Sequence, residues 1–127
     1  YLNPLPFYHI AGAAVLARQE IARFRQISSD EKWNAQKFSS RVEEEKVTCT
    51  SLVPTQIYDL VNENIVAPPS LRLVFVGAGY LSKEIFHRAK ELRWPLVLTY
   101  GMTETCAMLA YKKEIDELLT RFPHISK

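Results

Sequence analysis

Hydroxyl and carboxylate side chains gather in the segment TYGMTET, residues 99–105, directly after an apolar run. Tyr100 offers a flat ring for stacking, and Gly101 frees the backbone just past the predicted strand. Glu104 is a hard oxygen ligand of the kind that Mg²⁺ prefers. Three further side chains offer hydroxyls that suit phosphate oxygens: Thr99, Thr103 and Thr105. The pattern fits a nucleotide–magnesium site and, equally well on composition alone, a capped loop with a solvated glutamate.

A second candidate site lies in FVGAGYLSKE, residues 75–84, where two glycines flank Ala78. Glycines allow unusual φ values and close approach of a flat ligand, and the amides that start the following helix can face an anion. The segment lacks the third glycine of a dinucleotide fingerprint, because Ser82 stands there, and it lacks the Gly-Lys-Ser/Thr of a Walker loop. Local features alone favour the alternative interpretation, a tight strand-to-helix turn.

Histidines and cysteines show no spacing that indicates a metal or a nucleophile. A lone histidine such as His9 packs and hydrogen-bonds more often than it catalyses. His87 and His124 lack metal-ligand spacing, so no zinc site is predicted. Cys49 falls in a predicted strand far from Cys106, which argues against a disulfide framework and favours a reducing, cytosolic setting.

Composition bounds the function classes. The 127 residues suit one domain, and 47% apolar with 24% charged residues is typical of a globular core. A net charge of +2, without a run of basic and aromatic residues, argues against nucleic-acid binding. No targeting signal and no long apolar run are seen. The chain opens without Met, which suggests a segment of a longer protein.

Helices and strands alternate in the periodicity of the chain. Residues 1–9 are expected to be extended or loop, and NENIVAPPS, 62–70, is a predicted loop. Helical spacing predicts helices over 10–24, 34–46, from Pro54, 83–93 and 112–121. Apolar or β-branched runs predict strands at 47–53, 71–77 and 96–101, with a shorter one possible in 24–29. This alternation predicts an α/β fold with a parallel sheet and alternating helices, covered on both faces.

Capping residues predict where the helices begin. Ser28 and Glu31 have the spacing of a capping box, Pro54 suits a first helical turn, and Ser82 can cap the helix that follows it. The last helix is expected to be exposed and amphipathic, with its apolar side formed by Ile115, Leu118 and Leu119. Because parallel strands end at one edge of the sheet, both candidate sites are expected there.

Three segments in this order resemble the adenylate-forming superfamily of acyl-CoA synthetases, peptide-synthetase adenylation domains and luciferases: LPFYHIAG, VFVGAGYLS and TYGMTET. VTCTSLVPTQ is also similar to a strand-to-helix stretch of that family. The resemblance covers about 1–108 and leaves 109–127 as an unmatched tail that is predicted to be helical. Within the superfamily, SLVPTQ and TYGMTETC are most similar to the ligases that join o-succinylbenzoate to coenzyme A in menaquinone synthesis.

The resemblance implies roles for individual residues. The loop formed by Gly77, Ala78, Gly79 and Tyr80 would line the adenine, against which Tyr100 would stack beside Gly101. Thr103 would contact the α-phosphate, and Glu104 would help hold Mg²⁺ on ATP. His9 would border the acyl pocket and the reacting carboxylate.

The resemblance also implies a two-step reaction, in which a carboxylate attacks the α-phosphate of ATP and the thiol of coenzyme A then displaces AMP. Such chemistry needs charge neutralisation at the phosphates more than a covalent nucleophile. The family's phosphate loop with its lysine, its ribose-binding Asp and its catalytic Lys are absent from these residues, and GAG replaces the family's GGA. An inactive fragment of the N-terminal domain is therefore expected, prone to self-association. A stand-alone nucleotide-binding or interaction module remains the alternative, and a generic flavodoxin-like binder would explain the alternation but not the motifs.

Overall fold

Seven strands form a single sheet in the computed structural model of the chain. In chain order they are β1 (Leu2–Asn3), β2 (Ile27–Ser28), β3 (Cys49–Leu52), β4 (Leu73–Val76), β5 (Leu96–Met102), β6 (Ala107–Lys112) and β7 (Thr120–Arg121). Across the sheet the order is β2-β1-β3-β4-β5-β6-β7. Strands β1 to β5 are parallel, β6 is antiparallel to β5, and β7 is antiparallel to β6. The structure describes residues 1–4, 23, 25, 27–28, 31–102, 107–112 and 120–121.

Three described helices alternate with the parallel strands. Helix α1 (Ala35–Glu44) precedes β3, α2 (Pro54–Asn62) joins β3 to β4, and α3 (Lys83–Glu91) joins β4 to β5. The last two crossovers step the same way across the sheet, so their right-handedness places α2 and α3 on one face. The predicted α/β class, a parallel sheet with alternating helices, is confirmed. Cover on the opposite face stays a prediction.

The core lies between these helices and one face of the sheet. Every second strand residue faces it and is at least nine-tenths buried: Leu52, Val74, Val76, Leu96 and Leu98. The helices contribute the apolar residues of their inner faces, chiefly Phe38, Val42, Ile57, Leu60, Val61, Phe86 and Ala89. Each of these Val, Leu, Ile and Phe side chains contributes about 1.5–3 kcal/mol when it is fully buried. The carboxyl ends of β3, β4 and β5 are therefore held in fixed register.

Helices α2 and α3 begin where their caps predict. Pro54 occupies the first turn of α2, and the Val53 amide donates to Oε1 of Gln56 at 3.0 Å. Ser82 precedes α3, and its hydroxyl oxygen accepts from the Ile85 amide at 3.3 Å. The predicted roles of Pro54 and Ser82 are confirmed, because both depend on local chemistry alone.

The predicted capping box of Ser28 and Glu31 is wrong. Ser28 lies in β2, where its backbone pairs with β1. Helix α1 begins later, after Asn34, whose side-chain oxygen accepts from the Lys37 amide at 2.9 Å. An asparagine directly before the helix satisfies its free amides better than a serine that is already held in a strand.

The helix predicted over 112–121 is also wrong at both ends, as is the helical assignment of the tail from residue 109. Lys112 ends β6, where it pairs with Leu98, and Thr120–Arg121 form β7. Ala107–Lys112 pair with the edge of β5 and Thr120–Arg121 pair with β6, and this pairing satisfies their backbone groups and overrides the helical periodicity.

Parts of two predicted helices fall outside the described residues. Ile115, Leu118 and Leu119 belong to such a part, as does the helix predicted over 10–24 except for Arg23, whose φ of 51° is not that of a right-handed helix. Within the described ranges, no helix combines the length and apolar character that crossing a bilayer requires.

Candidate functional site

The two predicted site segments meet at the carboxyl edge of the sheet. Strand β4 ends at Val76, which pairs with Leu98 of β5. The loop 77–82 therefore leaves the sheet beside Thr99 and Tyr100. Ligands of open α/β sheets bind outside the carboxyl ends of the strands, which is this edge. The structure brings the glycine-containing loop and Tyr100 together, as the sequence predicted.

The loop takes its unusual backbone angle at its alanine. Ala78 has a φ of 62°, whereas neither Gly77 nor Gly79 has a positive φ. The expectation that the two glycines supply the unusual φ values is therefore wrong. An L-residue other than Asn or Asp costs roughly 1–2 kcal/mol in this conformation. Surrounding contacts must hold Ala78 there.

Close approach, and not φ, explains both glycines. A Cβ added to Gly77 would lie 2.6 Å from Oγ1 of Thr99 on β5. A Cβ added to Gly79 would lie 3.2 Å from Cγ of Pro54 at the start of α2. The loop is thus wedged between a strand and a helix. Sequence reasoning missed these two neighbours, because contacts between distant segments leave no local signal.

Tyr80 lies within the loop, and its side chain is the most exposed of the large hydrophobic side chains in the described part of the chain, at 82%. It lines an open groove of about 390 Å³ between α2 and α3. The other residues of this groove are Pro54, Thr55, Tyr58, Asp59, Leu81, Ser82 and Ile85. Tyr100, which is 49% exposed on β5, is not in that lining. Tyr80 and Tyr100 are thus both exposed at this edge of the sheet, and of the two Tyr80 lines this groove.

Gly101 lies inside β5, as the strand predicted over 96–101 has it, and not just past the strand as its expected backbone role required. The strand continues to Met102, and its register with β6 shifts between Tyr100 and Gly101. Such bulges bend a strand and re-aim its side chains, and they are common beside active sites. The bulge therefore lies immediately before the segment that carries Thr103 and Glu104.

Four candidate site residues lie outside the described residues: His9, Thr103, Glu104 and Thr105. Their roles stay predictions. Among the residues that the structure does describe, no three His, Cys, Asp or Glu side chains are grouped as a metal site.

Thr99 is placed differently from its expected role. The sequence offered its hydroxyl to a phosphate, but Oγ1 donates to the carbonyl oxygen of Val76 at 3.1 Å. The side chain is half-buried between β4 and β5. The described part of the site thus consists of a small-residue backbone turn, a hydroxyl that ties it to β5, and an exposed ring one residue further on. A planar ring can stack there against Tyr100 while backbone amides and carbonyls read its edge.

Sequence comparison finds relatives that join a carboxylate to coenzyme A. A 2-succinylbenzoate–CoA ligase of Staphylococcus aureus (strain JH9) is 33% identical over 107 residues, which is 84% of this chain and 22% of that protein. The chain therefore spans about a fifth of the length of such relatives.

Solved structures of similar proteins share the fold. The O-succinylbenzoate coenzyme A synthetase (MenE) of Bacillus subtilis in complex with ATP and magnesium matches with a TM-score of 0.82 and 26% identity, over 88% of this chain and 23% of that one. The same enzyme in complex with the acyl-adenylate OSB-AMP matches with a TM-score of 0.83 and 26% identity, over the same shares. Wild-type Escherichia coli MenE with a bound OSB-AMS analogue matches with a TM-score of 0.76 and 25% identity, over 96% of this chain and 26% of that one.

A model of one protein family matches the whole sequence. The family is that of the AMP-binding enzymes, and the match runs over residues 1–127, including the glycine loop, Tyr100 and the hairpin that follows. The fold, the position of the two segments at the sheet edge and this match agree. The chain belongs to the AMP-binding enzyme family.

Proposed function

We propose that this chain is part of an ATP-dependent acid–CoA ligase that adenylates a carboxylate and then forms its coenzyme A thioester. The carboxylate that we assign is o-succinylbenzoate, the precursor acid of menaquinone synthesis. The names of the relatives from Staphylococcus aureus and Bacillus subtilis support this substrate. Because the chain spans 22% of such a relative, the complete reaction is assigned to the parent protein.

One observation carries the proposal, which is the meeting of the glycine loop with Tyr100 at the carboxyl edge of the sheet. Gly77 lies so close to Thr99 that no side chain fits between them. Tyr100, the next residue, keeps about half of its surface free for a ligand. A flat base fits such an edge, because it needs a ring to stack on and backbone groups to read it.

The proposed roles are those that the family resemblance implies, and the chemistry of each residue suits its role. The backbone of Gly77, Ala78 and Gly79 lines the adenine, with Tyr80 at the rim and Tyr100 stacked on the ring beside Gly101. Thr103 donates its hydroxyl to the α-phosphate. Glu104 contributes a carboxylate to Mg²⁺, and His9 borders the carboxylate that reacts.

The reaction has two displacements. A carboxylate oxygen of the substrate attacks the α-phosphorus of ATP, and pyrophosphate leaves with its electron pair. The sulfur of coenzyme A then attacks the acyl carbon, loses its proton, and AMP leaves. Mg²⁺ supplies charge neutralisation at the phosphates when bound, and no covalent protein nucleophile is required.

The chain alone is expected to be inactive, because the proposed reaction needs a phosphate loop and a catalytic lysine that these residues do not supply. The test incubates the 127-residue chain with ATP, Mg²⁺, o-succinylbenzoate and coenzyme A, and follows the thioester by mass spectrometry. The parent protein serves as the positive control. Thioester formed by the isolated chain would contradict the inactivity. A parent that makes no such thioester would contradict the assigned reaction.

Nucleotide binding tests the site itself. AMP is titrated into the chain, into Tyr100→Ala and into Tyr58→Ala, since the two tyrosines are similarly exposed at 49% and 52%. We expect weak binding by the wild type, a loss of about 5–50-fold in Tyr100→Ala from one lost stacking contact, and no change in Tyr58→Ala. Equal losses in both variants, or sub-micromolar affinity of the wild type, would count against this account.

The partners that we assign are small molecules, namely ATP, coenzyme A and the carboxylate, and we place the parent in the cytoplasm. Copies of the isolated chain are expected to self-associate, because β2 and β7 form the two edges of the described sheet. A sedimentation profile of a clean monomer at high concentration would exclude this association.

A further inference from the structure

A side-chain hydrogen bond crosses from β5 to the last residue of β4. The donor is Oγ1 of Thr99 and the acceptor is the Val76 carbonyl oxygen, 3.1 Å away. The bond is half-buried and lies where β4 ends and the glycine loop begins. It therefore ties the start of the loop to the neighbouring strand.

Gly77 and Thr99 are a matched pair. The Thr99 hydroxyl occupies the space that a Cβ on residue 77 would need, with a separation of 2.6 Å. On its other side the Gly77 amide donates to the Leu52 carbonyl at 3.3 Å. The first residue of the loop is thus held from β3 by its own amide and from β5 by a side chain. Few positions are open to a residue fixed from both neighbouring strands.

The same pair connects the two halves of the proposed nucleotide site. Gly77 directly precedes Ala78, the residue with a φ of 62°. Thr99 directly precedes Tyr100, the proposed stacking ring. The bond between Thr99 and Val76 therefore links the glycine loop to the strand that carries Tyr100. In the proposed site, the loop backbone faces one side of the base and the Tyr100 ring faces the other.

We propose that Thr99 is a positioning residue for the nucleotide, acting through Gly77 and Tyr100 without touching the ligand. The proposal rests on the nucleotide site assigned above. The hydroxyl proton of Thr99 is donated to the Val76 carbonyl, so Thr99 does not donate it to a phosphate. The hydroxyl fixes the spacing between the backbone of residues 77–79 and the Tyr100 ring, where the base binds. Without the hydroxyl, the free protein samples a broader range of spacings. Binding then includes the cost of restoring one spacing.

The chain offers a matched control for this hydrogen bond. Thr50 on β3 donates its hydroxyl to the Leu2 carbonyl on β1 at 2.7 Å, again from a side chain to the neighbouring strand. Thr50 is fully buried and belongs to a different strand pair from the glycine loop. Thr50→Val and Thr99→Val therefore remove the same kind of bond, one away from the proposed site and one within it.

The experiment measures AMP affinity and urea stability for the wild type, Thr99→Val, Thr99→Ser and Thr50→Val. A net hydrogen bond corresponds to about 3–10-fold in affinity, so Thr99→Val is expected to bind AMP that much more weakly. Thr99→Ser keeps the hydroxyl and is expected to bind within about twofold of the wild type. Thr50→Val is expected to lose stability but to bind AMP as the wild type does. Thr99→Val binding like the wild type, or Thr50→Val losing as much affinity as Thr99→Val, overturns the proposal.

Amide hydrogen exchange tests the positioning without any ligand. Thr99→Val is expected to raise exchange at residues 77–80 and at Tyr100 by several-fold, whereas Thr50→Val leaves these amides unchanged relative to the rest of β4 and β5. Unchanged protection of the loop in Thr99→Val overturns the positioning role even if nucleotide binds. If the loop loosens but the wild type binds no AMP at millimolar concentration, the nucleotide site fails while the effect on the loop stands.

Discussion

Two strand-to-helix turns leave the same edge of the sheet and differ in length and in backbone conformation. Between β3 and α2 the chain spends one residue, Val53, before Pro54 starts the helix. Between β4 and α3 the turn comprises residues 77–82, and Ala78 within it has a left-handed backbone conformation. Both turns lead into helices of nine residues packed on the same core. A connection of one residue is sufficient to join a strand to a helix in this fold, so the additional residues of the second turn are available for function.

The contact between Gly77 and Thr99 gives the largest expected effect. Gly77→Ala places a Cβ 2.6 Å from the Thr99 hydroxyl, and overpacking of this kind costs about 1–3 kcal/mol of unfolding free energy. Urea denaturation measures the loss. In a Thr99→Ala background the space is free, so the same substitution is expected to cost less than about 0.5 kcal/mol. An equal loss in both backgrounds would show that the contact does not constrain the loop.

The two helix starts give the next effect. Ser82→Ala removes the oxygen that accepts from Ile85 and is expected to cost about 1 kcal/mol. Pro54→Ala frees a φ angle in the unfolded chain and is expected to cost about 0.4–1 kcal/mol. Thermal unfolding of the two variants compares a side-chain cap with a proline in the first helical turn. A Pro54→Ala loss well above that of Ser82→Ala would mean that the contact of Pro54 with Gly79 is a main support of the loop.

The alanine of the long turn gives the smallest effect. Ala78→Gly relieves the left-handed conformation but loosens the unfolded chain, so a gain of a few tenths of a kcal/mol is expected. Arg93→Gly is the matched control, because Arg93 has a φ of 66° in the exposed turn after α3. Chemical denaturation should show similar gains in both. A loss in Ala78→Gly alone would indicate that the Ala78 methyl makes contacts that stabilise the loop.

Local chemistry accounts for what the sequence predicted well. Pro54 and Ser82 mark helix starts because the groups that they satisfy lie within one turn. The helix that was predicted from Pro54 buries Ile57, Leu60 and Val61 because helical spacing puts them on one face. The meeting of the glycine loop with Tyr100 followed from the parallel order of the strands, which also depends on a pattern visible in the sequence.

Long-range contacts account for the errors. Thr99 and Pro54 crowd the positions that a Cβ would take at residues 77 and 79, so close approach explains the two glycines, and the positive φ falls on Ala78. Strand β6 replaces a predicted tail because β5 offers it an unpaired edge, a partner that periodicity cannot reveal. The hydroxyl of Thr99 was assigned to phosphate because its actual acceptor, the Val76 carbonyl, lies on a strand distant in sequence and leaves no local signal.

The comparison of the two turns is tested most directly by mapping AMP onto backbone amides by NMR. We predict that millimolar AMP shifts the amides of residues 77–80 and Tyr100, and leaves unmoved those of Val53 in the short turn and of Thr55 directly after it. Shifts confined to the short turn, shifts spread evenly over the sheet, or no shift at all would contradict the assignment of the long turn as the nucleotide site.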